Sequence, residues 1–219
     1  LEFRRVLFRS LVKSHIHAVW MEAAKPDLGK TLTQVIDLTP ADGRLPLPIK
    51  DEILRELRSP VHRATAQTRA NQLIESIQDE LNNAPWFHDN WTKEILDQIE
   101  RTFDVACERW RSLYRAAVRQ REIHHRIIGD HARPEMERNQ SRRLRAQAES
   151  QIKLLTEAEG IYEGDFYSYR YFATEGLLPG YNFPRLPISA YVPGHRQRNS
   201  RDEFVSRARF LAISEFGPR

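Results

Sequence analysis

Asn90–Ile128, NWTKEILDQIERTFDVACERWRSLYRAAVRQREIHHRII, and Pro134–Glu159, PEMERNQSRRLRAQAESQIKLLTEAE, form the stretch on which the fold turns. In the first segment Trp91, Ile95, Ile99, Phe103, Ala106, Trp110, Leu113, Ala117 and Ile127 recur at helical spacing, so one long helix is expected from Asn90 to Ile128. Gly129-Asp130 breaks it. Pro134 suits the first turn of a second helix, where its missing N–H costs nothing. Leu144, Ala148, Ile152 and Leu155 line that helix to about Glu159. Two long helices joined by a tight link predict an antiparallel helical hairpin.

Towards the N-terminus the pattern stays helical. Ala66, Ala70, Leu73, Ile74, Ile77 and Leu81 mark a helix that stops at Asn82-Asn83-Ala84-Pro85. Lys50–Arg58 reads as a short helix, and Thr39–Pro48 as a proline-rich loop. Leu28–Leu38 reads as a short helix or turn. Leu11–Ala24 carries a helical stripe that ends at Lys25-Pro26-Asp27, because proline disfavours helix in the residue before it.

Beyond Gly160 the character changes. Tyr162, Phe166, Tyr167, Tyr169, Tyr171, Phe172, Tyr181 and Phe183 crowd a stretch also rich in glycine and proline. It reads as ordered loop packed on the helices, being too aromatic for a disordered linker. Ile188–Val192 and Phe204–Ser214 read as strands. The expected fold class is therefore mainly α. It comprises a helical bundle with a long antiparallel hairpin, then an aromatic loop region and a few strands of a truncated sheet. The expected divisions are 1–10, a helical accessory region over 11–159, and 160–219 as the start of a β-containing domain.

Leu1–Ser10, LEFRRVLFRS, reads as the translation of a short-read sequencing adapter and is expected to be an artefact. The alternative is a basic amphipathic start to a helix. Arg4, Arg5 and Arg9 against Glu2 supply half of the formal charge of +4, so global charge says little about partners. The chain stops directly after an apolar run at Phe216-Gly217-Pro218-Arg219, and we expect an incomplete internal piece of a longer protein. A single cysteine, Cys107, excludes an internal disulfide and the usual multi-cysteine zinc site. No apolar run approaches the roughly 18 residues of a membrane span, and a cytoplasmic protein is the expectation.

No catalytic constellation stands out. Gly29-Lys30-Thr31 matches the tail of a phosphate-binding loop. The full motif needs a further glycine where Ala24 stands, and a strand leading in rather than a helix and a proline. His15 and His17, and likewise His124 and His125, lack the spacing of three or four that aligns metal ligands on one helical face. They read as surface histidines. Cys107 reads as a half-buried structural thiol. No catalytic residue, metal ligand or cofactor is assigned.

Arginine carries what functional signal there is. Between Cys107 and Gln151 lie 11 arginines against six acids. Arg111, Arg115, Arg119, Arg126 and Arg133 fall at spacings of four and seven, forming a partial basic stripe. Such a stripe can meet nucleic-acid phosphates and release counterions. It can equally be a solvated face holding intrahelical ion pairs. These five are the candidate DNA-binding residues.

Three segments resemble one family. Leu11–Trp20 (LVKSHIHAVW) resembles the segment that follows the second RecA-like domain of large bacterial superfamily 2 helicases of the DEAD/DEAH-box type. Phe166–Pro187 (FYSYRYFATEGLLPGYNFPRLP) and Arg207–Pro218 (RARFLAISEFGP) resemble the stretch leading into their MrfA-like C-terminal domain, as in the DrmA type of the DISARM anti-phage systems. The middle matches only in helical character and position. The resemblance implies a parent protein that binds ATP and magnesium and translocates on DNA, in phage defence or repair. It places that chemistry in RecA-like domains upstream of Leu11. It implies an accessory role here, with DNA, those domains and a missing C-terminal domain as partners. The alternative is a scaffold that docks a partner subunit through the aromatic segment.

Overall fold

Val12, Ile16, Trp20 and Ala24, each four residues from the last, turn one stripe of the first helix, α1 (Glu2–Ala24), into the core. The computed structural model describes residues 2–39, 47–82, 84–157 and 167–180, together with two strands at 188–192 and 203–207. Residues 2–10 continue α1, and the Phe8 ring meets Trp86 edge-on at 5.9 Å. The helix stops where Lys25, before Pro26, takes a left-handed φ of 45°.

Leu28–Leu38 forms a single 3-10 turn over Leu32–Gln34, and Ile36 pairs with Ile49 in an isolated bridge. Within the loop Thr39–Pro48, residues 40–46 lie outside the described residues. α2 (Asp51–Arg58) buries Ile53 and Leu57. α3 (Pro60–Ser76) starts earlier than its apolar pattern suggests, because Ser59 caps it and Pro60 takes the first turn. Ile77, with φ −122° and ψ 22°, separates it from α4 (Gln78–Leu81).

The long helix expected over Asn90–Ile128 is divided. α5 (Trp91–Asp97) and α6 (Ile99–Gly129) meet at Gln98, where φ −97° and ψ 5° leave the helical region. No glycine or proline announces the break. The Gln98 amide is shared between the carbonyls of Glu94 and Ile95. α7 (Glu135–Thr156) begins one residue after Pro134. Trp110 on α6 donates its indole N–H to Leu155 O, while His125 further along α6 meets Arg145 earlier in α7. Contacts in that reversed order make the two helices antiparallel, and theirs is the most extensive helix–helix contact in the molecule.

The aromatic stretch was expected to hold no regular helix. Instead Ser168–Thr174 forms α8, two turns that bury Ser168, Tyr171 and Phe172. Phe172 packs tilted against Phe103 of α6 at 4.7 Å, and burial of that surface offsets the poor helix propensity of aromatics. The Tyr171 hydroxyl inserts into the ladder of α6: it donates to Ala106 O at 2.7 Å and accepts from Trp110 N–H at 3.0 Å. Ser168 ties α8 to the turn after α1 through Leu28 O and Lys30 O.

These contacts close a compact unit that runs from the N-terminus to Gly180. α1 packs on α3 and α5, and α2 bridges α3 and α6. Ion pairs Arg69–Glu22 and Arg63–Asp97 clamp the outside of that packing. The unit is mainly helical. A second unit spans 181–219, in which β1 (Ile188–Val192) pairs antiparallel with β2 (Glu203–Arg207), Ala190 opposite Val205. Tyr162, Phe166, Tyr181, Phe183 and the expected strand positions 208–214 lie outside the described residues.

Candidate nucleic-acid interface

The five arginines singled out by spacing meet different fates. Arg111, at the root of the stripe, is 5% exposed. Its Nε donates to Leu47 O at 2.7 Å, and its remaining nitrogens donate to the Asp104 carboxylate at 2.6 Å and the Asp104 carbonyl at 3.1 Å. Burial works against its charge, but the hydrogen bond and charge of Asp104 outweigh it and hold the guanidinium above its ordinary pKa. Arg111 therefore pins the chain near Leu47 to α6 and has no face to offer a phosphate. Spacing along α6 could not reveal this, since the decisive acceptor lies 64 residues away.

Arg115 is half-buried and donates to Glu108 at 2.9 Å. Around both arginines the surface is acidic. Glu100, Asp104 and Glu108, four residues apart on α6, line an open cleft of about 380 Å³ with Leu47, Arg111 and Arg115. Glu100 is held by a fork from Arg58, whose Nε and Nη2 donate at 3.0 and 2.6 Å, and its pKa is lowered by that hydrogen bond. At this end of α6 the arginines are taken up by carboxylates.

The far end of the α6–α7 pair is the opposite. From Arg119 to Arg145 there are eight arginines and four acids, with His124, His125 and His131 among them. Arg119 and Arg126 are exposed, seven residues apart on the same face of α6. Among the described residues neither has an ion-pair partner. Arg133, in the link, pairs with Glu137 and with Asp130 at 3.1 Å, and these hydrogen bonds raise its pKa. From α7 come Arg138, Arg142, Arg143 and Arg145. Arg142 and Arg143 point to solvent, Arg145 pairs with Glu149 at 2.8 Å, and Arg138 meets His131 at 3.1 Å. Spacing along α6 leaves the α7 arginines, counted among the 11, out of the stripe, although folding brings them to the same end.

Other sequence candidates resolve elsewhere. At Gly29-Lys30-Thr31 the Gly29 amide donates to Asp27 and the Lys30 amide to Gln34. Backbone donors that would wrap a phosphate are already engaged by side chains. Cys107 is fully buried rather than half-buried, and burial pushes its thiol up to about 12.

His17 is not a surface residue: it is 1% exposed. Its Nδ1–H donates to Leu177 O at 2.9 Å, while its buried Nε2 has no partner. Burial lowers its pKa to about 4, against the raising effect of that hydrogen bond. Among the described residues, no group of three or more His, Cys, Asp or Glu side chains could hold a metal ion. Nor, among them, is any helix long and apolar enough to cross a membrane. Comparison with protein families, curated proteins and solved structures finds no match to this chain.

Proposed function

We propose that the chain is an accessory, DNA-contacting region of an ATP-dependent DNA helicase or translocase acting in phage defence or repair in the cytoplasm. On this reading α6 and α7 form a hairpin arm whose far end meets the DNA backbone. ATP and magnesium belong to RecA-like domains of the parent protein, and β1 and β2 begin a further β-containing domain. The isolated chain hydrolyses no ATP, and the occupied amides at Gly29 and Lys30 support that.

One observation carries the DNA reading: eight arginines against four acids between Arg119 and Arg145, with Arg119 and Arg126 exposed on one face. Guanidinium groups on an exposed face release phosphate counterions, so binding should weaken steeply with salt. Fluorescence anisotropy with short labelled DNA across a salt series tests this. Arg119→Ala and Arg126→Ala should each lower the salt slope by about 1 and weaken binding to all sequences alike. Absence of binding at low salt, or a slope unmoved by both changes, would end the proposal.

A second reading, a scaffold docking a partner subunit, has one observation in its favour. Tyr167 and Tyr169 are exposed side by side, with ring centres 6.3 Å apart. Aromatic side chains so placed suit a protein interface. Partner binding on this reading would be insensitive to salt, and Tyr169→Ala would weaken it.

A further inference from the structure

We propose that the far end of the α6–α7 pair takes up protons as it binds a nucleic-acid phosphodiester backbone, with His125 and His131 as the proton acceptors. The inference rests on the DNA-contact reading above and adds its regulation. Two cross-links carry it. Arg145 lies 3.1 Å from Nδ1 of His125, and Arg138 lies 3.1 Å from Nδ1 of His131. A guanidinium can only donate, so each imidazole must offer the Nδ1 lone pair and be uncharged.

A proton on either ring occupies that lone pair and sets two cations against each other. The contact then opens. Each opening releases a guanidinium donor and adds a positive charge at an end where arginines already outnumber acids. The neighbouring charges do not cancel this. On α7, Glu149 faces Arg145 and is already engaged with it at 2.8 Å. In the link and the first turn of α7, Asp130 and Glu137 are engaged with Arg133. On α6 itself His125 adjoins Arg126, with Arg121 and Glu122 one turn back, and Glu135 stands four residues after His131; these two acids remain outnumbered by the eight arginines from Arg119 to Arg145.

Two further polar atoms at this end, His124 Nδ1 and Arg138 Nε, are buried without a hydrogen-bond partner. A phosphodiester laid across the end supplies the negative charge that protonated imidazoles and released guanidiniums need. Proton binding and phosphate binding then favour one another, and by linkage each strengthens the other equally.

The test uses the whole chain, a short DNA duplex and fixed salt, with affinity measured by anisotropy between about pH 7.5 and 5.5. Affinity should rise on the order of tenfold across that range. The double substitution His125→Gln and His131→Gln should flatten the profile, with folding checked by circular dichroism. Histidine proton resonances give an independent reading: bound DNA should raise the titration midpoints of His125 and His131. Binding that is flat with pH, a slope retained in the double variant, or midpoints unmoved by DNA overturns the inference and leaves DNA contact standing. Binding at no pH removes both.

Discussion

The two ends of the α6–α7 pair are built from different residues for different tasks. At the root, Phe103 and Trp110 of α6 lie fully buried with Phe172 of α8, and Trp110 also stacks on Tyr114 at 5.1 Å. At the far end the buried positions are Ala117, Val118, Ser141 and Ala148. Large side chains at the root bury much apolar area and fasten the pair to the bundle. Small ones beyond it let two helices approach closely with little core between them, while Met136 is left 83% exposed. Arginine follows the same division, buried and paired at Arg111 but exposed at Arg119 and Arg126. A helix pair can thus be stable at one end and freely charged at the other, because burial at the root supports both.

The sharpest way to break this contrast is to thin the root. Trp110→Ala should cost about 4 kcal/mol, from lost packing and a cavity, and Val118→Ala roughly 1 kcal/mol. Urea unfolding of both variants measures it, and equal losses would erase the distinction.

Acid should act next, through His17 of α1, whose Nδ1 is bonded to Leu177 O just after α8. The folded pKa of His17 lies below its ordinary value, so the unfolded chain binds the proton more readily. Its contribution is fully present above about pH 6.5 and is lost as pH falls towards about 4. The loss should approach about 3 kcal/mol, and His17→Gln should lack that part of the acid sensitivity in melts across the range.

A smaller effect separates the arginines. Arg111→Ala should destabilise by about 2 kcal/mol, because it strands Leu47 O and its share of Asp104. Arg126→Ala should change stability by less than about 0.5 kcal/mol. A thermal melt that ranks them the other way would refute the division of labour.

Much of this was legible in the sequence where the deciding interactions are local. The stripe of α1, the stop at Lys25-Pro26 and the break between α6 and α7 all follow from spacing, proline and glycine. The division at Gln98 was not legible, because ordinary residues there adopt a turn that no glycine or proline signals. Nor was α8, whose aromatics look like loop until Phe103 is in place to receive Phe172. For the candidate interface, periodicity found the helix face but not its surroundings. Arg111 and Arg119 look alike in the sequence, and only an acceptor brought in from Leu47 tells them apart. His17 was misread for the same reason, its partner Leu177 being 160 residues distant.

The Tyr171 hydroxyl, set between Ala106 O and Trp110 N–H, also makes a reporter of an ordinary backbone amide. In an uninterrupted helix, the exchange of that amide with deuterium would follow the opening of its own turn. Here a further acceptor sits on another element, 61 residues further along the chain. Exchange at Trp110 therefore also requires the undocking of α8 from α6, a sub-global opening with its own free energy. One slowly exchanging proton, read against its neighbours in α6, clocks how often the aromatic segment lets go.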